Sequence, residues 1–125
     1  MNKKRILLID DEAGFTRMLK LNLEQTGRFE VRAVNWPEDA LRVGQEFQPD
    51  LVLLDVLMPR MVGGDVAAQF RADPVLKAAR IIFFTAAVRK SIMEEHGGVV
   101  AGDPIIAKPA SFEEVLAAIE KYLPQ

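Results

Sequence analysis

Leu51-Val52-Leu53-Leu54-Asp55-Val56-Leu57-Met58-Pro59, followed closely by Gly63-Gly64, is the stretch that decides the fold. Four consecutive apolar residues fit a strand buried on both faces, as in a parallel sheet covered by helices. The run ends in a carboxylate, and a charge at the edge of a low-dielectric core costs free energy unless something there uses it. Three other runs share this form. Ile6-Leu7-Leu8-Ile9 leads into Asp10-Asp11-Glu12, Ile81-Ile82-Phe83-Phe84 into Thr85, and Ile105-Ile106-Ala107 into Lys108. Four strand-like segments, each delivering a polar side chain at its C-terminal end, define one candidate site.

Segments of helical period separate these runs, which predicts alternating strands and helices. Phe15, Met18, Leu19 and Leu23 recur on one face of a helix expected from Ala13 to Thr26, and Gly27 is placed to end it. Phe29 to Ala33 alternates apolar and polar residues, as an edge strand does. Asn35 precedes Trp36-Pro37-Glu38-Asp39 and is expected to cap a helix running to Gln48. A further helix is expected from Gly63-Gly64 to Ala72, and a short one from Ser91 to Glu95, before Gly97-Gly98 and Gly102-Asp103-Pro104 break the chain. Ser111-Phe112-Glu113-Glu114 is a capping box for a last helix with Phe112, Val115, Leu116, Ile119 and Leu123 inward. Residues 1–125 read as one α/β domain of five βα units.

Composition narrows the classes of function. The chain has 125 residues, a formal net charge of −2 and no cysteine. That balance argues against a nucleic-acid-binding surface. The absence of cysteine excludes disulfides and thiolate metal sites and fits a reducing cytoplasm. No apolar run approaches the roughly 20 residues that span a bilayer, and Asp10-Asp11-Glu12 interrupts the short run after Lys3-Lys4-Arg5 too soon for a signal peptide. A cytoplasmic chain with no membrane contact is expected.

In open α/β sheets, ligands lie beyond the carboxyl ends of the strands where strand order reverses. That edge gathers Asp10, Asp11, Asp55, Thr85 and Lys108. Three clustered carboxylates repel unless a cation joins them, and oxygen-only ligands completed by water and phosphate suit Mg²⁺. A carboxylate is a competent nucleophile toward phosphorus, giving an acyl phosphate. Lys108 could pair with Asp55 at rest and with a phosphoryl oxygen after transfer, while Thr85 offers a hydroxyl. Singly, each feature has a plain alternative: a helix N-cap pair for Asp10-Asp11, a loop acid, a strand end, an ordinary Lys-Pro turn. Their occurrence together and in this order carries the reading.

With these residues in place, the chain resembles the receiver domain of two-component response regulators over essentially its whole length. The matching elements are Ile9-Asp10-Asp11-Glu12, Asp55 in Asp-Val-Leu-Met-Pro-Arg-Met-Val-Gly, Thr85-Ala86 and Lys108-Pro109. The resemblance implies a three-layer α/β/α sandwich, flavodoxin-like and doubly wound, around a five-stranded parallel sheet in order 2-1-3-4-5. It implies that Asp55 accepts a phosphoryl group from a sensor histidine kinase or a small phosphodonor. Asp11 and Asp55 would bind Mg²⁺ directly, Asp10 partly through water, with the Leu57 backbone carbonyl as a further ligand. Thr85 would be the switch hydroxyl, Lys108 the phosphate-binding lysine, and the bond before Pro109 cis. The implied partner of the switched surface is a downstream protein or fused output domain on the face of the fourth helix, fifth strand and fifth helix. Homodimerisation on phosphorylation is a further expectation.

Some positions depart from the family pattern. Ile105 stands where the family commonly has Tyr or Phe, so the usual inward-moving ring is missing. The glycine-rich 97–102 segment predicts a short or displaced fourth helix, since glycine costs roughly 1 kcal/mol against alanine in a helix. Leu57 and Ala87 are apolar where an attacking water would pass, which predicts slow self-dephosphorylation. His96 reads as a helix C-terminal residue favoured by the dipole rather than a relay histidine, and Trp36 as local packing. The alternatives are a binding module of this fold that works without phosphorylation, and a Mg²⁺-dependent phosphohydrolase. The latter would need an acid where Leu57 stands and a covering cap, so no dedicated enzyme activity is expected. No DNA-binding or output element is visible in the sequence through Tyr122-Leu123-Pro124-Gln125.

Overall fold

Period-two burial organises the sheet, because successive side chains of a strand point to opposite faces. In β1 (Lys4–Ile9), Leu7 and Ile9 join one apolar cluster while Ile6 and Leu8 join another. In β3 (Leu51–Asp55), Val52 and Leu54 lie on the first side and Leu51 and Leu53 on the second, and the whole strand is buried. β6 (Arg80–Thr85) divides likewise, with Ile81 and Phe83 against Ile82 and Phe84. The structure, a computed structural model, describes residues 3–58, 61–85, 99–100 and 103–123.

Helices cover both faces. α2 (Ala40–Phe47) and α3 (Gly63–Ala72) supply Ala40, Phe47, Val66, Ala67 and Phe70 to the first cluster. α1 (Ala13–Gln25) and α4 (Phe112–Tyr122) supply Leu19, Leu23, Val115 and Ile119 to the second. β2 (Phe29–Val34) pairs with β1, β1 with β3, β3 with β6, and β6 with β8 (Asp103–Ala107), all parallel. Counted along the chain, these five strands take the order 2-1-3-4-5. The three-layer α/β/α sandwich expected from the sequence is the observed architecture.

Two small elements add to that expectation. β7 (Val99–Val100) runs antiparallel to β8 at the sheet's outer edge, and β4 (Leu57–Met58) pairs with β5 (Met61–Val62) as a separate two-stranded unit. Strands of two residues are too short to leave a periodic signal in sequence.

Two local readings need correction. Met18 is 65% exposed, not core-facing. At about 100° per residue it falls well outside the arc shared by Phe15, Thr16, Leu19 and Leu23. Asn35 does not cap a helix. The chain instead makes one 3-10 turn at Pro37–Asp39, preceded by Trp36, and then enters α2. The Asn35 amide is engaged elsewhere, as described below. The last helix presents the expected inward face: Val115 and Ile119 are buried, and Phe112, Leu116 and, just past the helix, Leu123 are partly buried and pack against the same cluster. The Ser111 capping box is present, with the Ser111 hydroxyl accepting from the Glu114 amide. Gly27, at φ 79°, takes the left-handed conformation that closes α1.

The α2–α3 contact depends on a missing side chain. A Cβ on Gly44 would stand 3.0 Å from Phe70 Cζ and 3.1 Å from Leu76 Cδ1, both on buried residues. Beside it, Gln45 Nε2 donates to Asp73 Oδ2 at 2.6 Å, and Asp73 Oδ1 accepts the Val75 and Leu76 amides. Among the described residues, no helix is long and apolar enough to cross a membrane.

Candidate functional site

β1 and β3 are neighbours in the sheet, with Ile9 registered against Leu54. Both run out at the same edge, so Asp10 and Asp55 emerge side by side. The chain leaves β1 toward β2 on one side and leaves β3 toward β6 on the other. This is the reversal point where doubly wound sheets open a crevice. β8 ends two strands away and delivers Lys108 to the same edge. The Lys108–Pro109 peptide bond is cis.

The carboxylates of Asp10, Asp11 and Asp55 offer oxygens that all lie within 4.8 Å of one another. Asp10 and Asp55 are 3% and 5% exposed, whereas Asp11 faces solvent. Lys108 Nζ donates to Asp10 Oδ2 at 2.6 Å and to Glu12 Oε1 at 3.2 Å, and lies 3.8 Å from Asp55 Oδ2. The other oxygen of Asp10, Oδ1, accepts the Glu12 amide at 3.0 Å. Burial raises the Asp10 carboxyl above its ordinary range, even against the opposing pull of Lys108. Burial also disfavours the charged form of Lys108, but Asp10, Asp55 and Glu12 outweigh it and the amine is held above its ordinary range. Lys108 is therefore a firm cation among four acids. The charge is unbalanced, and an oxygen-only donor set with two buried members and one solvent-facing member fits a small hard dication.

The site residues expected from sequence distribute as follows. Asp10, Asp11, Asp55 and Lys108 come together. Thr85 ends β6, registered against Ala107, and Leu57 begins β4 two residues after Asp55; the side chains of both lie outside the described residues. So do Pro59, residues 86–98 with Ala87, the Ser91–Glu95 helix and His96, and residues 101–102. Ile105 is half-buried and packs against the cluster that holds Leu7 and Val52.

Glu12, Asn35, Phe15 and Phe84 were assigned no individual role at the site by the sequence reading. Glu12 is the second acid on Lys108. Asn35 Nδ2 donates to the Asp10 carbonyl at 2.8 Å and to the buried Thr16 hydroxyl at 2.9 Å, tying the acidic loop to the end of β2 and to α1. Phe15 and Phe84 stack with centroids 5.2 Å apart, beside Lys108. Glu12 was visible in the Asp-Asp-Glu run. The others were visible only as a helix cap and as core residues, because their roles depend on contacts between distant elements.

Comparison with known proteins identifies the family and the fold. The sequence model of the response regulator receiver domain matches residues 6–120. The alkaline phosphatase synthesis transcriptional regulatory protein PhoP of Bacillus subtilis (strain 168) is 32% identical over 98% of this chain and 49% of its own length. The probable transcriptional regulator ycf27 of Cyanophora paradoxa is 35% identical over 98% of this chain and 49% of its own length. The chain thus spans about half the length of these curated relatives. Among solved structures, the chemotaxis protein CheY4 of Vibrio cholerae superposes with a TM-score of 0.82, at 24% identity, over 98% of this chain and 100% of its own, a likeness of fold. A putative response regulator from Chloroflexus aurantiacus J-10-fl gives 0.78 at 28% identity over 96% and 97%. With the family match covering nearly all of a chain whose acids and lysine meet at the sheet's reversal point, this protein belongs to the response regulator receiver domain family.

Proposed function

We propose that this domain is the phospho-acceptor of a two-component relay, with Asp55 as the nucleophile. The observation that carries the reading is the placement of Asp55, buried at the end of β3, with carboxylate oxygens of Asp10 and Asp11 within 4.8 Å and the Lys108 ammonium 3.8 Å away. One carboxylate oxygen of Asp55 attacks the phosphorus of a phosphohistidine. A P–O bond forms, the P–N bond breaks, and the leaving imidazole nitrogen takes a proton from solvent. Lys108 then meets the charge on the transferred group, and positioning contributes most of the remaining rate.

The cofactor in this reading is Mg²⁺, which would neutralise the phosphoryl oxygens when bound. Asp11 and Asp55 would hold it, with the Leu57 carbonyl as a further ligand. Both oxygens of Asp10 are already engaged, by Lys108 and by the Glu12 amide, which supports a share for Asp10 through water. Thr85 is the proposed switch hydroxyl. The donor is a sensor histidine kinase, and the recipient is a downstream protein or output domain, with homodimerisation on phosphorylation a further part of the proposal. Direct nucleic-acid contact is assigned to neither this domain nor its site, although relatives are DNA-binding response regulators by name. The domain turns over no substrate besides its own phosphoryl group and is assigned to the cytoplasm.

A second reading, a binding module that acts without phosphorylation, draws support from Ile105. Packed against the core, this aliphatic side chain has no ring to exchange between exposed and buried positions. Incubation with phosphoramidate, whose P–N bond mimics phosphohistidine, followed by borohydride trapping and peptide mapping, separates the two. Modification confined to Asp55 supports the phospho-acceptor; an unmodified chain supports the module.

A further inference from the structure

The Lys108 ammonium lies 4.9 Å from the ring centroid of Phe15 and 5.3 Å from that of Phe84. Both distances fall inside the roughly 6 Å range of cation–π attraction. The rings come from different elements, Phe15 from α1 and Phe84 from β6, and stack at 27°. Phe84 is 2% exposed and is the register partner of Asp55 across the β3–β6 ladder. The register of β6 with β8 sets Thr85 beside Ala107, which brings Lys108 next to Phe84, and α1 adds Phe15.

We propose that Phe15 and Phe84 are positioning residues for Lys108, forming an aromatic floor over which its ammonium passes from Asp10 to the phosphoryl group on Asp55. The inference rests on the phospho-acceptor reading. At rest the ammonium stands 2.6 Å from Asp10 and 3.8 Å from Asp55, so it must move to serve the product. Hydrogen bonds to Asp10 and Glu12 are directional and weaken as it moves. Attraction to a ring face is broad and is retained along the path. The floor thus keeps a largely desolvated cation, 14% exposed, in favourable surroundings at both ends.

The test uses Phe15, which is half-buried, so that its variants fold. Phe15→Leu removes one ring face, while Phe15→Tyr retains it. Initial phosphorylation rates are measured against phosphoramidate concentration, alongside Mg²⁺ affinity by calorimetry and the Lys108 ε-methylene proton shifts. The expected result is a maximal rate about three- to tenfold lower in Phe15→Leu, with donor KM and Mg²⁺ affinity within about twofold of wild type. Phe15→Tyr recovers the rate. The ε-methylene protons lie upfield in wild type and Phe15→Tyr and move downfield in Phe15→Leu. An unchanged rate in Phe15→Leu, an equal loss in Phe15→Tyr, or ε-methylene shifts indifferent to the ring overturns the proposal. A wild type that takes up no phosphoryl group, with its ring-shifted lysine intact, instead overturns the phospho-acceptor reading and this inference with it.

Discussion

Lys108 Nζ stands 2.6 Å from Asp10 Oδ2, closer than its 3.8 Å from Asp55 Oδ2. The lysine is therefore held first by the acid next to the nucleophile and only second by the nucleophile. Lys108→Ala leaves two nearly buried carboxylates without their cation, and removing one partner of a buried pair costs about 3 kcal/mol or more. Thermal melts in EDTA should show that loss. Mg²⁺ should restore more stability to the variant than it adds to wild type, because a dication replaces the missing charge. Equal Mg²⁺ responses would contradict this account of the charge balance.

Asn35 fixes the acidic loop through the Asp10 carbonyl and the Thr16 hydroxyl. Asn35→Ala should weaken Mg²⁺ binding about tenfold, the order seen when groups that orient metal ligands are removed. Asn35→Asp, which keeps the shape but loses the donor, should be no better. Calorimetric titration checks both, and wild-type affinity in Asn35→Ala would remove Asn35 from the site.

Gly44→Val should destabilise the fold by about 2 kcal/mol through overpacking, since Phe70 and Leu76 are buried and close around the glycine. A better helix propensity for the new residue works in the opposite direction but is smaller. A denaturant midpoint at or above wild type would mean that α2 and α3 can separate without cost.

Asp73 titrates below the ordinary aspartate range because Gln45 donates to it, helped by the Val75 and Leu76 amides. A carboxyl with a depressed folded pKa contributes stability above its unfolded pKa, and that contribution is lost as pH falls through the folded value. Carboxyl carbon shifts followed by NMR should place the Asp73 midpoint below that of an ordinary aspartate. Gln45→Ala should move it upward. A midpoint indifferent to Gln45 would show that the amide is not its main partner.

The parallel sheet was legible because each buried strand is an unbroken apolar run that stops at a polar residue. Asp10, Asp55 and Lys108 were legible for the same reason, each standing directly after such a run. Asn35 was misread because an N-cap and a loop tether use the same residue type, and only the approach of β2 to α1 distinguishes them. Met18 was misread because an apolar residue beside Leu19 in sequence resembles a core position, although its helical angle carries it outside the buried arc. Phe15 and Phe84 were read as core, which Phe84 is, yet their ring faces also meet a lysine that lies far along the chain. Contacts of that kind have no local signature.

Everything proposed for this site depends on Asp55 taking a phosphoryl group in a Mg²⁺-dependent reaction. Intact mass measurement after exposure to acetyl phosphate tests it most directly, for wild type with Mg²⁺, wild type with EDTA, and Asp55→Asn with Mg²⁺. The expected result is a gain of one phosphoryl group in the first sample only. No gain in any sample, or an equal gain in Asp55→Asn, would contradict it.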